Sequence, residues 1–559
     1  MATPLCQCDE KTTTRYFSRE PAQKQELPIC IPGYDECKTI LIQAEPGRKG
    51  ESGPDGIVGT SVGIPQYYVI TPTDNTTVTP IDLSKDVVAI DTSNFSPILS
   101  LGQPSQPKYI ELKLLNQRGL PAEIQLSSGG SFDLSASDPN VLLFWDGTRW
   151  NVLDNPAGVS SFLPNAAKPV IKLMPGDALG NPELGEDNQD VSISDDGNTI
   201  AFGGLTDNFG IGAAWVFVRS PTTGIYSQQG PKIVGSGIVG LAEFGASVSL
   251  SADGNTLAVG GPNDNNQIGA TWIFVRNSNS TIGGGPIWTQ QGPKLVANDF
   301  VALAAQGSSV ALSADGNTLV TGGPGDSGQV GATWVYMRSG GVWFQVGPKL
   351  VGTGSVGPAF QGSAVAISAD GTTIAICGPF DNSNTGATWI FTFFNGVWSQ
   401  QGPKLVGSGA TPTGGTRLYP SLSSDGNTLA VASQAFQAGF GAVWVFTRGN
   451  SVTGVTWTQQ AGPLQPVQPA SDPFIGPPGI TSVVLSGDGN ALAMAGFSDK
   501  NFAGGIWVFR RINGMWTQFN YRLTAPGSFF LGNNIDMTSD GNILVASSSS
   551  SPGFIAVFQ

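Results

Sequence analysis

Fifteen residues, VSLSADGNTLAVGGP from Val248 to Pro262, return with small changes six more times in the last two-thirds of the chain, and no other feature limits the fold as strongly. The copies are VSISDDGNTIAFGG from Val191, VALSADGNTLVTGGP from Val310, VAISADGTTIAICGP from Val365, LSSDGNTLAVAS from Leu422, VLSGDGNALAMAG from Val484 and MTSDGNILVASS from Met537. Their Asp-Gly pairs begin at Asp196, Asp253, Asp315, Asp370, Asp425, Asp488 and Asp540, so successive units are 52 to 63 residues apart. Apolar residues alternate with small polar ones on both sides of each pair, as Val248 and Leu250 do before it and Leu257 and Val259 after it. That is the rhythm of half-buried strands. Gly supplies the positive φ of a tight turn and Asp can bond the backbone two residues on, so each copy predicts a β-hairpin. Two more strand-like runs follow in each unit. GATWIFVR from Gly269 reappears from Gly212, Gly331, Gly386, Gly441 and Gly504, and IWTQQGPKLV from Ile287 reappears from Val342 and Val397. Four antiparallel strands per unit, in tandem, predict an all-β chain built as a seven-bladed β-propeller.

The ends of the array sharpen this expectation. The seventh unit stops at FIAVFQ, Phe554 to Gln559, which is only its third strand. Before the first hairpin lies KPVIKLMPGD, Lys168 to Asp177, matching the end of other fourth strands with Lys172 and Leu173 in the places of Lys294 and Leu295. The closing blade is therefore expected to be completed by this N-terminal strand, which leaves no open edge.

The remaining sequence divides into three pieces. Residues 1–46 are a polar arm carrying Cys6, Cys8, Cys30 and Cys37, with one strand expected at Thr39 to Gln43. The spacing of these cysteines fits neither common zinc pattern, so disulfides within or between chains, free thiols and a metal site all stay open. Residues 47–59, GRKGESGPDGIVG, place Gly47, Gly50, Gly53, Gly56 and Gly59 at a strict period of three, as a collagen-like neck requires, with a Gly-rich hinge as the alternative. Residues 60–160 carry strand-like runs from Tyr67, Asp86, Lys108, Ala122, Asn140 and Arg149 between turn residues, predicting a small β-sandwich or jelly roll. WDGTRW, Trp145 to Trp150, reads as a packed hairpin.

Chemistry is limited by what the chain lacks. It has no His, which removes the commonest general base and the commonest metal ligand. Lys and Arg number 27 against 41 Asp and Glu, a net charge of −14 with no basic cluster, which argues against nucleic acid as a partner. No run approaches the roughly 20 apolar residues of a membrane span, and no basic-then-apolar leader is visible at the front. Cys377 stands where other units have Gly260 or Gly322 and reads as a small buried filler. Trp215, Trp272, Trp334, Trp389, Trp444 and Trp507 repeat in the third strand and Trp288, Trp343, Trp398, Trp457 and Trp516 in the fourth, favouring packing between sheets over sugar stacking. The Lys of GPKL, at Lys232, Lys294, Lys349 and Lys404, reads as a solvated outer-edge charge.

The run FGASVSLSADGNTLAVGGP from Phe244, with the GATWIFVR and WTQQGPKLV that follow, resembles the FG-GAP repeats of integrin-α-type propellers over roughly Lys168 to Gln559. The resemblance implies the propeller fold and, in some members, calcium loops of alternating Asp and Asn. Here the turn is a bare S-x-D-G-N-T, so no cofactor is expected. Calcium is the one ion to consider, with Asp207, Asp264, Asp326, Asp381 and Asp499, which recur just past the second strand, as its candidate ligands against an Asx-turn reading. The hairpin also resembles the sialidase Asp-box, but lacks one residue between Asp and Gly and any Arg cluster, so no catalytic residue is assigned.

Residues 60–160, ending in FWDGTRWNVL, are similar to segments of phage tail fibres and of collagen-like surface proteins of large DNA viruses. Arm, neck, β-domain and propeller in that order predict a virion surface structural protein, made in the host cytoplasm and without enzymatic activity. It would be fibre- or spike-like, with a homotrimer built through the neck, and its partners would be other virion proteins or a host surface glycan or protein. A non-viral adhesion or scaffold propeller is the alternative, and a propeller hydrolase or lyase the remote one. The loops after the second and fourth strands share one face and vary between copies, so recognition is expected there.

Overall fold

In the computed structural model the described residues are 170–559 apart from 185–189, 283–284, 412–417, 435, 437–438, 452–453, 469–473, 475–477, 513, 520–521 and 551–552; before residue 170 only the backbone of eleven strands is described. Seven four-stranded antiparallel sheets follow one another. The second is typical, with Ser247–Leu250 innermost, then Thr256–Gly261, Ala270–Ile282 and Gly285–Gln290. Val248 faces Val259, Val259 faces Trp272, and Phe274 faces Gln290. The seventh sheet runs Ile535–Met537, Leu544–Ser548, Phe554–Phe558 and then Ile171–Leu173, so the expected closing strand is in place. Ile171 lies opposite Val557 and Leu173 opposite Ile555. Innermost strands of neighbouring sheets touch all the way round, including the first against the seventh.

The hairpin sequence S-x-D-G-N-T recurs because nearly every polar atom in it is used. Ser251 Oγ donates to Asp253 Oδ1 (2.5 Å) and accepts the Thr256 N–H (2.9 Å). Asn255 donates its backbone N–H to Asp253 Oδ1 and its side-chain amide to Oδ2, while Gly254 holds φ +65°. The other turns repeat this pattern, with Thr372 replacing Asn in the fourth and Thr538 replacing Ser in the seventh.

The residue between Ser and Asp has a second duty. The N–H of Asp195 donates to Ala252 O, Ala252 to Ala314, Ala314 to Ala369, Ala369 to Ser424, Ser424 to Gly487 and Gly487 to Ser539, at 2.7 to 3.0 Å. Ser539 completes the circle through the Asp195 carboxylate. Seven strands spaced about 4.8 Å apart make a circle of roughly 5.5 Å radius. This backbone collar has room for the Ala, Ser and Gly found at most of these positions.

Among the described residues the core is divided into seven apolar clusters between neighbouring sheets, such as the one joining Ala258 and Ile273 of the second sheet to Leu319, Trp334 and Tyr336 of the third. The six third-strand Trp are all buried, as packing requires. Their indole N–H groups reach back to the loop from the preceding sheet, as Trp272 does to Ser236 O (2.8 Å) and Trp389 to Thr353 O (2.8 Å). Gly352 lies so close to Trp389 that a Cβ there would fall 2.2 Å from the ring, which explains the Gly at this loop position.

Fourth-strand Trp residues take a mixed environment. Trp343 lies under Arg338 (5.3 Å) and donates to Gln291 Oε1 of the preceding sheet (2.9 Å), and Trp288, Trp457 and Trp516 repeat both contacts. Trp398 departs from this. Phe393 replaces the Arg, Val346 replaces the Gln, and the buried Trp398 Nε1 has no acceptor. A missing partner for a buried donor costs about 1–3 kcal/mol. Val346→Gln is therefore expected to stabilise the protein by about 1 kcal/mol, read as a higher denaturant midpoint with an unchanged slope.

In the N-terminal unit, Glu26–Ile29 pairs antiparallel with Lys38–Leu41, the latter close to the expected strand. The six runs expected in residues 60–160 are strands, and Val78–Pro80, Ile98–Leu101 and Ser131–Leu134 add three that the sequence reading missed. Tyr67–Ile70, Val87–Ile90 and Lys108–Leu114 pair in parallel, as do Val78–Pro80, Ile98–Leu101 and Ala122–Leu126 in a second sheet. The strands form two sheets, and from Tyr67 to Leu126 the chain alternates between them, so neighbours there run parallel rather than antiparallel as in a jelly roll, whereas Ser131–Leu134 pairs antiparallel with Ala122–Leu126. Cys6, Cys8, Cys30, Cys37 and the Gly-X-Y stretch lie outside the described residues.

Candidate functional site

Antiparallel connectivity separates the two faces of the ring. One carries the Asp-Gly turns, the start of the closing strand at Ile171 and the chain end near Phe558; the other carries the loops after second and fourth strands. On the loop face, the chain after the second strand turns through consecutive left-handed residues. These include Asn208 and Phe209 (φ 51° and 62°), Asn265 and Asn266 (51° and 55°), Ser327 and Gly328, Asn382 and Ser383, and Lys500 and Asn501. Left-handed backbone costs about 1–2 kcal/mol per ordinary residue, least for Gly, Asn and Asp, which accounts for the local composition.

What holds these turns is the recurrent Asp. Asp207, Asp264, Asp326, Asp381 and Asp499 are all buried. Their Oδ2 atoms pair with Lys232 (2.5 Å), Lys294, Lys349 (2.5 Å), Lys404 (2.5 Å) and Arg522 (2.6 Å) of the same sheet. In the first four, Oδ1 accepts the N–H of Leu179 (2.6 Å), Val239 (2.7 Å), Val301 (2.6 Å) and Val356 (2.7 Å) in the loop arriving from the preceding sheet. The carbonyls of those four residues accept N–H groups from Asn208, Asn265, Ser327 and Asn382 in return. Each of these four Asp thus joins three segments: its own loop, the incoming loop and the end of the fourth strand.

This corrects the reading of the GPKL lysines as solvated edge charges. Their ammonium groups fold inward over the loop onto a buried carboxylate, and their side chains are only about one-fifth exposed. With a Lys ammonium, or at Asp499 the Arg522 guanidinium, on Oδ2 and a backbone N–H on Oδ1, the chain's own charge stands where a calcium ion would bind the five candidate Asp. No group of three or more metal-ligating side chains occurs among the described residues. Nor does the Asx-turn explanation hold in full, because the Asp bonds partners about 25 residues away. The pairing was readable in outline: the fifth unit has neither the Asp nor the Lys, and the sixth keeps the Asp but has Arg522 for Lys. Cys377 is fully buried, and burial, eased by the Thr388 hydroxyl, pushes its thiol up to about 12.

The Asp-Gly face sets carboxylates beside guanidiniums. Burial acts against the carboxylates of Asp196, Asp253, Asp315, Asp370 and Asp425. Hydrogen bonds from the turn and the charges of Arg276, Arg338 and Arg448 outweigh it and hold them below the usual range. Asp536, on the innermost strand of the closing sheet, goes the other way. Burial pushes it up to about 6, opposed by hydrogen bonds from the Ile193 and Met537 N–H groups and Ser192, and reinforced by the charge of Asp195. A carboxyl whose folded pKa exceeds its unfolded value stabilises the fold fully below about pH 4 and loses that contribution as pH rises through 6. Stability should fall by at most about 3 kcal/mol between pH 4 and 7 on this account. Asp536→Asn should flatten that slope, as measured by urea midpoints across the range.

No known protein family and no curated protein matches the chain. A solved structure from Bacteroides uniformis, carrying the provisional name 6-phosphogluconolactonase, is similar at 12% identity and a TM-score of 0.40, over 69% of this chain and 93% of that one. At that level the likeness carries no inference about activity.

Proposed function

We infer that this protein is a non-enzymatic structural protein of a virion surface, which presents its propeller for attachment or for contact with neighbouring subunits. The observation that supports the reading best is the division of labour between the two faces. The chain enters and leaves the ring on the Asp-Gly face. The opposite face is left to loops whose backbones are held by buried ion pairs. Loops fixed in advance lose little entropy on binding, which suits recognition. The acid–base repertoire is poor as well: the chain has no His, and the recurrent loop-face Asp are each committed to a Lys or Arg. The order of arm, Gly-X-Y stretch, β-domain and ring along the sequence is that expected of a fibre protein, and the FG-GAP resemblance fits a ring that binds rather than catalyses.

The test is quantitative mass spectrometry of purified particles against cell fractions of the producing host. Enrichment in particles, at the copy number of a structural component, is expected. Confinement to the cell fraction would overturn the virion assignment and favour an adhesion or scaffold role.

A further inference from the structure

The segment that closes the ring is fastened to both of the sheets it joins. Ile171, Lys172 and Leu173 lie opposite Val557, Ala556 and Ile555 of the seventh sheet. Leu173 is buried in the cluster shared with the first sheet, and the Lys172 ammonium reaches Pro526 O and the ring of Phe554. Directly afterwards the chain crosses to the first sheet. The Gly176 N–H donates to Gln228 Oε1 (2.8 Å). Asp177 accepts the Trp215 indole N–H (2.8 Å) and the Gln228 amide (2.9 Å) on Oδ1, and the Lys232 backbone N–H (2.8 Å) on Oδ2. Burial acts against the Asp177 carboxylate, but these hydrogen bonds outweigh it and hold the carboxyl below its usual range, so they are of the stronger, charge-assisted kind. Asp299 makes the same three bonds at the third sheet, whereas in the second and fourth the equivalent Trp bonds a backbone carbonyl, of Ser236 and Thr353. Beyond Asp177, Leu179 is tied to Asp207 and Asn208, and Asn181 O to the Thr206 hydroxyl.

We propose that this segment is a directional mechanical clamp: it resists a pull between the chain entering the ring and the loop face, and yields readily to a pull that separates the two ends of the ring. Direction decides which contacts carry the load. The chain enters the closing strand at Ile171 on the Asp-Gly face and runs toward the loop face. A pull between the entering chain and the loop face therefore lies along the strand. The three facing pairs, the Leu173 packing, the Lys172 contacts and the Asp177 bonds are sheared together, and their resistances add. Gln559 follows Phe558 at the same end of the antiparallel pair as Ile171. A pull between that end and the entering chain acts across the strands. It opens Ile171 from Val557 first, then Lys172 from Ala556, then Leu173 from Ile555, so each contact bears the load alone. The proposal rests on the virion-surface reading in one respect, that the N-terminal side is anchored and the loop face bound. Attachment would then load the ring along the direction in which the closing segment resists, a role beyond the removal of an open edge.

The test is single-molecule force spectroscopy on the full chain, with handles attached through azide-bearing residues. Placed at Lys168 and Phe209 they pull along the closing strand; placed at Lys168 and Gln559 they pull across it. Phe209 is 92% exposed in the loop-face turn of the first sheet, so a handle there disturbs little. Forced rupture reads the barrier to separation rather than equilibrium stability, so the two directions can differ in one protein of one melting temperature. At a common loading rate the pull along the strand should rupture at a force several-fold above the pull across it. Asp177→Ala should lower the first force and leave unchanged the force at which the pull across the strand begins to yield, because the Ile171 pair opens before the load reaches Asp177. Melting temperature checks that the variant is folded; Lys172→Met, a change at an exposed side chain, should lower the first force too and serves if Asp177→Ala disturbs the fold. Equal forces in the two directions, or a force along the strand that neither variant lowers, would overturn the proposal. Neither result depends on where the protein is found, so the virion assignment stands or falls separately.

Discussion

A chain that begins after Pro175, and so lacks Ile171–Leu173, should fail to give a soluble monomeric ring. Without that strand, Phe554–Phe558 becomes an open edge with buried apolar side chains, the configuration that invites pairing with other chains. The cluster joining the closing and first sheets loses Leu173, and the ring of Phe554 loses the Lys172 ammonium 4.3 Å from its centre. Loss of the whole strand removes a cross-strand ladder as well as packing, so the cost should exceed that of any single side chain. For scale, Leu173→Ala in the intact chain should cost about 2–4 kcal/mol, as large-to-small changes at buried sites do. Size-exclusion chromatography of the truncated protein reads the outcome: aggregate or unfolded chain is expected. A monomer melting within a few degrees of the full chain would contradict closure by this segment.

The second large effect concerns the ion pairs, and it is asymmetric. In Lys349→Met the carboxylate of Asp326 is left fully buried without its counter-charge, a loss of about 3–5 kcal/mol. In Asp326→Asn the Lys349 side chain, already 19% exposed, can swing its ammonium to water, while the amide oxygen still accepts the Val301 N–H. That change should cost only about 1–2 kcal/mol. The double variant should therefore recover much of what Lys349→Met loses, giving a coupling of about 2 kcal/mol in a double-mutant cycle from urea unfolding. Equal single-variant losses that add would show the Lys to be the solvated charge that its sequence position implies.

The contrast between these two predictions shows what could be read in the sequence. Blade number, hairpins and the closing strand are written in local patterns: period-two alternation around an Asp-Gly turn, and a Lys-Leu pair at Lys172 and Leu173 far ahead of the first hairpin. The buried third-strand Trp follow from the same repetition, because a large ring at one position of every sheet has nowhere to go but between sheets. The ion pairs are not local. Lys349 and Asp326 stand 23 residues apart with a strand pair between them, and each alone has an ordinary explanation, a surface charge and a turn former. Only their joint loss from the fifth unit hints at partnership. The collar is less legible still, since an Ala between Ser and Asp carries no sign that its N–H crosses to the next sheet. In residues 60–160 six of the nine strands were readable but not their direction, because alternation gives the buried side of a strand and not its neighbour.

The account depends most on the seam where the two distant ends of the ring meet. Lys172 and Ala556 face each other across it, and directly opposed residues of antiparallel strands stand within the reach of a disulfide. Lys172→Cys/Ala556→Cys should therefore oxidise readily in the native full chain, giving by mass spectrometry a linked peptide pair that joins residue 172 to residue 556. Thiols that stay free under conditions in which the protein remains folded would mean that the segment before the first hairpin does not close the ring.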